Sequence, residues 1–380
     1  MTQVELDNAE SGSVRTVGVE EEFLLAQADA DELAPAGELV VAAAGSRADP
    51  ADADLPGAAF EHEFKREQAE LGTRPCHTLV EVAIELRTRR RLLAEAARDQ
   101  GARLLVTGTS PLPGRATPTD DQRYDRMNAT FAAVARQQLS CGMHVHVAVE
   151  SRAEGVAVLD RIRPWLSVLL ALSVNSPFSA GHDTGYASYR SVLWGQWPTA
   201  TVTEAFGDEA GYQRVIDALI ASGAALDDGM IYFEARLSAS YPTVEIRVAD
   251  VCLEVDDAVT VAGLARGLVA ACARRAAAGE PVAPVRTELL RAASWAASRH
   301  GLADTLIDPL TGARTPAWAR VDALVDWIGD AFPMDDRERI HSGLAELRRR
   351  GPGAERQRAA YGSAGQISDV LDVVTEPAPL

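Results

Sequence analysis

The segment Val17–Leu24 carries three carboxylates, Glu20, Glu21 and Glu22, inside an otherwise apolar run. As a strand it alternates, so Glu20 and Glu22 share one face and Glu21 takes the other. Two neighbouring carboxylates repel and are costly to desolvate unless positive charge sits between them. A divalent cation supplies that charge, and hard oxygen ligands suit Mg²⁺ or Mn²⁺. An exposed edge strand with its acids in water is the competing reading. Glu63 and Glu70 flank a second strand region, 63–73, where a solvated acid pair and a metal role are equally good readings. In Cys141–Val147, His144 and His146 share one strand face and the valines the other. Imidazole ligates metals and donates hydrogen bonds to phosphate. Core histidines or a zinc site remain alternatives, although His62, His77, His182, His300 and His341 show no spacing that completes one. In Tyr241–Asp250, Thr243, Glu245 and Arg247 lie on one face, against Val244, Ile246 and Val248. Glu245 and Arg247 could form a structural ion pair. Beside the other segments, a metal-binding Glu245 and a phosphate-binding Arg247 become the better reading, with Arg236 as a second forked cation.

These side chains need a sheet to hold them. Strands are expected at 16–25, 63–73, 103–108, 143–149 and 244–248. Helices are expected at 78–100, 123–140 and 153–173, the last interrupted by Pro164. The stretch 27–57 reads as a loop with short helical pieces. The stretch 175–197, dense in Gly, Pro, Ser and aromatics, reads as an ordered functional loop. From about 255 the pattern turns helical, with candidates at 255–278, 285–299, 317–332, 337–350 and 354–373. Strands early and helices late predict an α+β fold with an antiparallel sheet. The domain reading is a frayed tail over 1–14, one catalytic domain over 15–375 with a helical C-terminal part, and a tail over 376–380.

Composition narrows the function. The 380 residues are 47% apolar, enough for a large core, and carry a net charge of −18. So acidic a surface repels nucleic acid and anionic membranes. Lys65 is the only lysine, and no Gly-rich loop precedes it, which excludes a Walker A site and a protein-kinase site. Phosphate must be handled by arginine and metal. The four cysteines, Cys76, Cys141, Cys252 and Cys272, are far apart and fit free thiols in a reducing cytosol. An acidic N-terminus without an apolar core and the absence of a long apolar run give a cytoplasmic expectation.

In this order, the motifs resemble the glutamate–cysteine ligase type 2 (carboxylate–amine ligase) family. The resemblance rests on Gly18–Phe23, on Glu63 and Glu70 followed by Thr73 and Cys76, and on Gly142, His144 and His146. It continues through Asn175–Phe178, Asp183–Gly185, Ser188–Arg190, Thr243–Asp250, Ile307–Pro309 and Gly353–Arg358. A more distant likeness is to glutamine synthetase. The resemblance implies a curved antiparallel sheet lined by the active site, with helices on its outer face. It implies that Glu20, His144 and Glu245 hold one metal, and Glu22, Glu63 and Glu70 a second. Arg190, Arg236 and Arg247 would be the catalytic cations for phosphate and substrate carboxylate, with His146 beside them at the nucleotide. The implied reaction is ATP-dependent amide formation through an acyl phosphate, with Mg²⁺ or Mn²⁺, from glutamate or a similar carboxylate and cysteine or another amine. The proton acceptor for the amine is not specified; Asp183 is one candidate. A guanidino-type phosphotransferase and a metal- or nucleotide-binding regulatory protein are the alternative functions. The Ala-rich helices are compatible with a homo-oligomer.

Overall fold

The structure, a computed structural model, describes residues 14–50 and 55–376. The expected tail up to residue 13 and the last four residues lie outside the described residues. The chain begins with strand β1 (Val17–Gln27), helix α1 (Gly37–Gly45), the hairpin strands β2 (Phe60–His62) and β3 (Gln68–Gly72), helix α2 (Leu79–Asp99) and β4 (Ala102–Leu105). Helices α3 (Gln122–Phe131) and α4 (Ala133–Gln137) lead to β5 (Gly142–Ala148), α5 (Arg152–Ile162) and α6 (Leu166–Ser173). A small hairpin, β6 (Phe178–Ser179) with β7 (His182–Asp183), precedes α7 (Tyr189–Trp194) and α8 (Glu209–Ala221). Strands β8 (Ala235–Leu237) and β9 (Thr243–Asp250) complete the main sheet. Helices α9 (Val255–Ala277) and α10 (Thr287–His300), the hairpin β10 (Thr305–Ile307) and β11 (Arg314–Pro316), and helices α11 (Ala317–Ile328), α12 (Met334–Arg350), α13 (Gly353–Ala364) and α14 (Ile367–Val374) follow.

The main sheet is antiparallel in the order β2-β3-β1-β5-β9-β8, and β4 pairs with the far end of β1. The expected α+β class is what the chain adopts. One sheet face is apolar: Val17, Val19 and Phe23 of β1, Met143, Val145 and Val147 of β5, and Val244 and Ile246 of β9 are buried. Helix α9 packs against β1 and β5 on this side and touches α2, α5 and α6. Its close approach needs Gly263, where a Cβ would lie 2.7 Å from Leu79 Cδ1. Helix α2 starts where the sequence predicts, because Thr78 and Glu81 form a reciprocal capping box.

Glu21 points into this apolar side, as the alternation requires, and is fully buried. Arg90 of α2 meets it with two hydrogen bonds, of 2.7 and 2.6 Å. The same guanidinium donates to the carbonyls of Cys252 and Leu253, between β9 and α9. One buried cation therefore ties together the strand, the helix and the chain leaving β9.

Several elements differ from expectation. The region 63–73 is a tight hairpin with Glu63 just beyond β2, not one strand. The helix expected over 123–140 breaks at Ala132, which has φ +50°. The helix expected over 354–373 breaks at Gly365, a left-handed C-cap that ends α13. The loop 175–197 contains β6, β7 and α7, while α8 and β8 lay in stretches where periodicity gave no signal. Lys65 sits in the β2–β3 turn with its ammonium buried, 4.0 Å from the Phe64 ring centroid, and without a hydrogen-bond partner among the described residues. Burial lowers its pKa to about 8, against the opposing pull of Glu67.

Candidate active site

Antiparallel register sets the polar face of the sheet. Glu22 lies opposite Glu70, Glu20 opposite His144, and His146 opposite Glu245. Glu245 in turn lies opposite Arg236. Carboxylates directly opposite one another across strands destabilise a sheet. The Glu22–Glu70 pair therefore calls for a compensating cation.

Two ligand groups result. Donor atoms of Glu22, Glu63 and Glu70 all lie within 4.8 Å of one another, and so do those of Glu20, His146 and Glu245. The first group is the set expected for the second metal. In the other, the imidazole of the compact triplet is His146, whereas the sequence reading placed His144 there. His144 stands between the two groups. Its Nδ1 is 3.2 Å from Glu20 Oε2 and 3.9 Å from Glu245 Oε1, and its Nε2 is 3.8 Å from Glu22 Oε1. His146 Nδ1 is 3.0 Å from the Thr243 hydroxyl, and its Nε2 is 3.2 Å from Glu20 Oε1 without hydrogen-bond geometry.

The electrostatics follow from this crowding. Burial pushes the Glu70 carboxyl well above the usual range, and the neighbouring Glu63 adds to the push. Glu63 is raised as well, chiefly by burial. At Glu20 burial is outweighed by the two adjoining imidazoles, His144 and His146, which hold the carboxyl well below its ordinary value. At Glu245 burial is outweighed by Arg247 and Arg236. Burial, with Arg247 nearby, lowers the His144 pKa and favours neutral imidazole, the form that ligates metal. Both histidines carry a buried Nε2 without a hydrogen-bond partner. Unpartnered imidazole nitrogens facing a crowd of carboxylates are what a divalent cation would satisfy, so these residues fit Mg²⁺ or Mn²⁺.

The three expected arginines differ in what they are free to do. Arg236 is fully occupied: it forks onto Glu245 at 2.7 and 3.3 Å and donates to the carbonyls of Asp228, Gly229 and Ile231. Arg247 bonds Glu245 but leaves a buried Nε unpartnered. Arg190 makes only long contacts to the carbonyls of Val248 and Arg247, and its Nε is also unpartnered and buried. A bulge in the β5–β9 pairing falls beside His144, opposite Arg247 and Val248. Gly142 makes room for Arg190, since a Cβ there would lie 2.2 Å from the Arg190 guanidinium. Asp250 holds the start of α7 by accepting from Ser188, Ser176 and the Asn175 amide.

Two cavities open onto this face. One, of about 240 Å³, is walled by Thr16, Pro56, Pro75, Tyr241 and Pro242 and reaches Glu20 and His146. The other, of about 280 Å³, is lined by Arg190, Arg247, Trp194, Tyr232, Glu234 and Ser294. Glu234 and Ser294 were not singled out from sequence, because an acid before β8 and a serine on α10 carry no motif. Asp183, the loop acid considered for proton transfer, forks onto Arg358 at 2.7 and 3.0 Å, and that pairing lowers its pKa. The pair joins the β6–β7 hairpin to α13.

The model of glutamate–cysteine ligase family 2 (GCS2) matches residues 16–371. The "putative glutamate–cysteine ligase 2-2" of Frankia alni is 51% identical over 368 residues, covering 95% of this chain and 96% of that one. A similarly named protein of Paenarthrobacter aurescens is 47% identical over 362 residues, covering 94% of each. Among solved structures, glutamate–cysteine ligase from Francisella tularensis, in complex with AMP, superposes with a TM-score of 0.65 at 13% identity, covering 96% of this chain and 88% of that one. A bifunctional glutathione synthetase from Pasteurella multocida gives 0.62 at 15% identity, covering 95% of this chain and 52% of that one. These two share the fold, and the sequence match across nearly the whole chain identifies it as a member of glutamate–cysteine ligase family 2.

Proposed function

We propose that the polar sheet face is the phosphoryl-transfer centre of an ATP-dependent carboxylate–amine ligase, joining glutamate or a similar carboxylate to cysteine or another amine. The observation that carries this reading is the crowding of Glu22, Glu63 and Glu70, with donor atoms within 4.8 Å, next to two buried, under-bonded arginines. Acids packed this way favour a bound cation, and the guanidiniums favour an anion beside it.

Glu20, His146 and Glu245, with His144 adjoining, would hold one Mg²⁺ or Mn²⁺, and Glu22, Glu63 and Glu70 the other. When bound, such ions neutralise phosphate charge that develops during transfer. Arg247 and Arg190 hold the γ-phosphoryl oxygens and the substrate carboxylate. The substrate carboxylate attacks the γ-phosphorus, ADP departs, and the acyl phosphate is then open to the amine. Arg236 fixes the position of Glu245. The apolar cleft beside Glu20 and His146 suits a purine ring, with the Tyr241 and Pro242 side chains as its walls. The acidic surface favours small-molecule partners over nucleic acid. No helix among the described residues is long and apolar enough to cross a membrane. The four cysteines are free and buried, which agrees with work in the reducing cytoplasm.

The test is phosphate release from ATP with Mg²⁺ and glutamate, across a panel of amino acids including cysteine, with product masses read in parallel. Release that requires both partners, with the amide mass, supports the ligase. Phosphate transferred to a guanidino compound without amide formation, or no turnover with any pair, would overturn it.

A further inference from the structure

Building on the ligase reading, we propose that Glu234 is the residue that receives the attacking amine, binding its ammonium and taking the proton that blocks its lone pair. The 280 Å³ cavity is lined by three arginines, Arg190, Arg247 and Arg291, and by the carboxylate-bearing Glu234. Arg247 belongs to both the sheet face and this cavity, so the cavity adjoins the place where the acyl phosphate forms. A substrate here meets cations that suit phosphate and carboxylate oxygens and an anion that suits an ammonium group. Both signs of charge in one cavity match an amino-acid acceptor better than a second carboxylic acid or a neutral ligand. The Trp194 and Tyr232 rings, with centroids 4.7 Å apart, supply an apolar wall for its side chain.

Glu234 is held in place. Its carbonyl accepts from the Arg247 amide at 2.9 Å, which fixes it directly across from β9. Its Oε1 accepts from the Ser294 hydroxyl of α10 at 2.7 Å, and Oε2 has no hydrogen-bond partner among the described residues. The charged and titratable groups that line its cavities are Arg190 from α7, Arg247 from β9, Tyr232 from its own segment, Arg291 from α10 and, in a small adjoining cavity, Arg163. Burial raises the Glu234 pKa to about 7, with the Ser294 hydrogen bond working the other way. A base of that strength is matched to proton transfer near neutral pH.

The step balances. The amine enters as an ammonium ion and gives one proton to Glu234. Its lone pair attacks the acyl carbon and forms the C–N bond. The C–O bond to phosphate breaks, and its electron pair leaves with inorganic phosphate, which takes the second nitrogen-borne proton. Glu234 then releases its proton to water.

The experiment uses the full chain with ATP, Mg²⁺ and glutamate and two nucleophiles in parallel. One is cysteine, an ammonium at neutral pH; the other is hydroxylamine, already a free base. Wild-type protein should yield amide and hydroxamate. In Glu234→Gln the hydroxamate-to-amide ratio should rise on the order of a hundredfold. Because Ser294 holds the carboxyl down, Ser294→Ala should move the rising limb of the amide pH profile to higher pH and leave the hydroxamate profile in place. An unaltered product ratio in Glu234→Gln, or an unmoved amide profile in Ser294→Ala, would overturn the assignment. A wild-type protein that makes neither product would overturn the ligase reading itself, so the two failures are distinguishable.

Discussion

Arg90→Met tests the frame beneath the site. Glu21 is 0% exposed and Arg90 1%, so neither charge has water to fall back on. Methionine fills most of the arginine volume but removes both hydrogen bonds to Glu21 and those to the carbonyls of Cys252 and Leu253. Breaking a buried pair by deleting one partner costs about 3–5 kcal/mol, because the remaining charge is stranded. Total domain stability is typically about 5–15 kcal/mol, so the loss is a large fraction of it. The double variant Glu21→Gln with Arg90→Met removes the stranded charge and should recover much of the loss. Urea unfolding followed by fluorescence of the six tryptophans measures all three differences at pH 7. A cost below about 1 kcal/mol for Arg90→Met, or a double variant no better than the single, would refute the stranded-charge reasoning. Glu21 sits between Glu20 and Glu22, so a shifted β1 carries two proposed metal ligands with it. Metal affinity should therefore fall in Arg90→Met even where the protein remains folded.

Glu70→Gln should lower Mn²⁺ stoichiometry from two ions to one by calorimetry, with turnover down on the order of a hundredfold. Arg247→Ala should cost about 10²–10³-fold in turnover, measured as glutamate-dependent ADP formation, whereas a loss under about tenfold would argue that Arg190 suffices. Glu234→Gln should be more stable than wild type at pH 8 but not at pH 4. A carboxyl raised by burial from an ordinary 4.5 to about 7 binds its proton more tightly in the folded state, so native stability falls as pH climbs through that window. The penalty that glutamine escapes is up to about 3 kcal/mol, read from chemical unfolding at the two pH values. Chelation by EDTA should abolish turnover, with recovery on adding Mg²⁺ or Mn²⁺ and not Ca²⁺, whose larger coordination shell suits a different cage.

The strands that carry chemistry were legible because alternation is a local property. Glu20 and Glu22 against Glu21, and His144 and His146 against the valines, followed from period two alone. Cross-strand register is not local. Only the pairing of His146 with Glu245 puts that imidazole into the compact triplet, and the bulge beside His144 depends on β9 meeting β5 one residue out of step. The exhaustion of Arg236 on carbonyls of the segment before β8 was likewise hidden, since main-chain acceptors leave no mark in a residue pattern. Glu234 was hidden for a different reason. Its character comes from burial beside α10, which is some sixty positions away in the chain. The capping box at Thr78 shows the converse: a helix end governed by a few neighbouring residues is written locally.

Lys65 has a consequence for self-damage. An acyl phosphate is a mixed anhydride and acylates whatever free amine it meets. Every other basic side chain in these 380 residues is an arginine or a histidine, and a guanidinium stays protonated and poorly nucleophilic. The lone ε-amine lies 0% exposed behind Phe64, out of reach of a molecule diffusing from the sheet face. An escaped intermediate therefore finds no side-chain amine on its own maker, and the folded protein should likewise leave Lys65 unmarked by amine-directed esters that label it at once after unfolding.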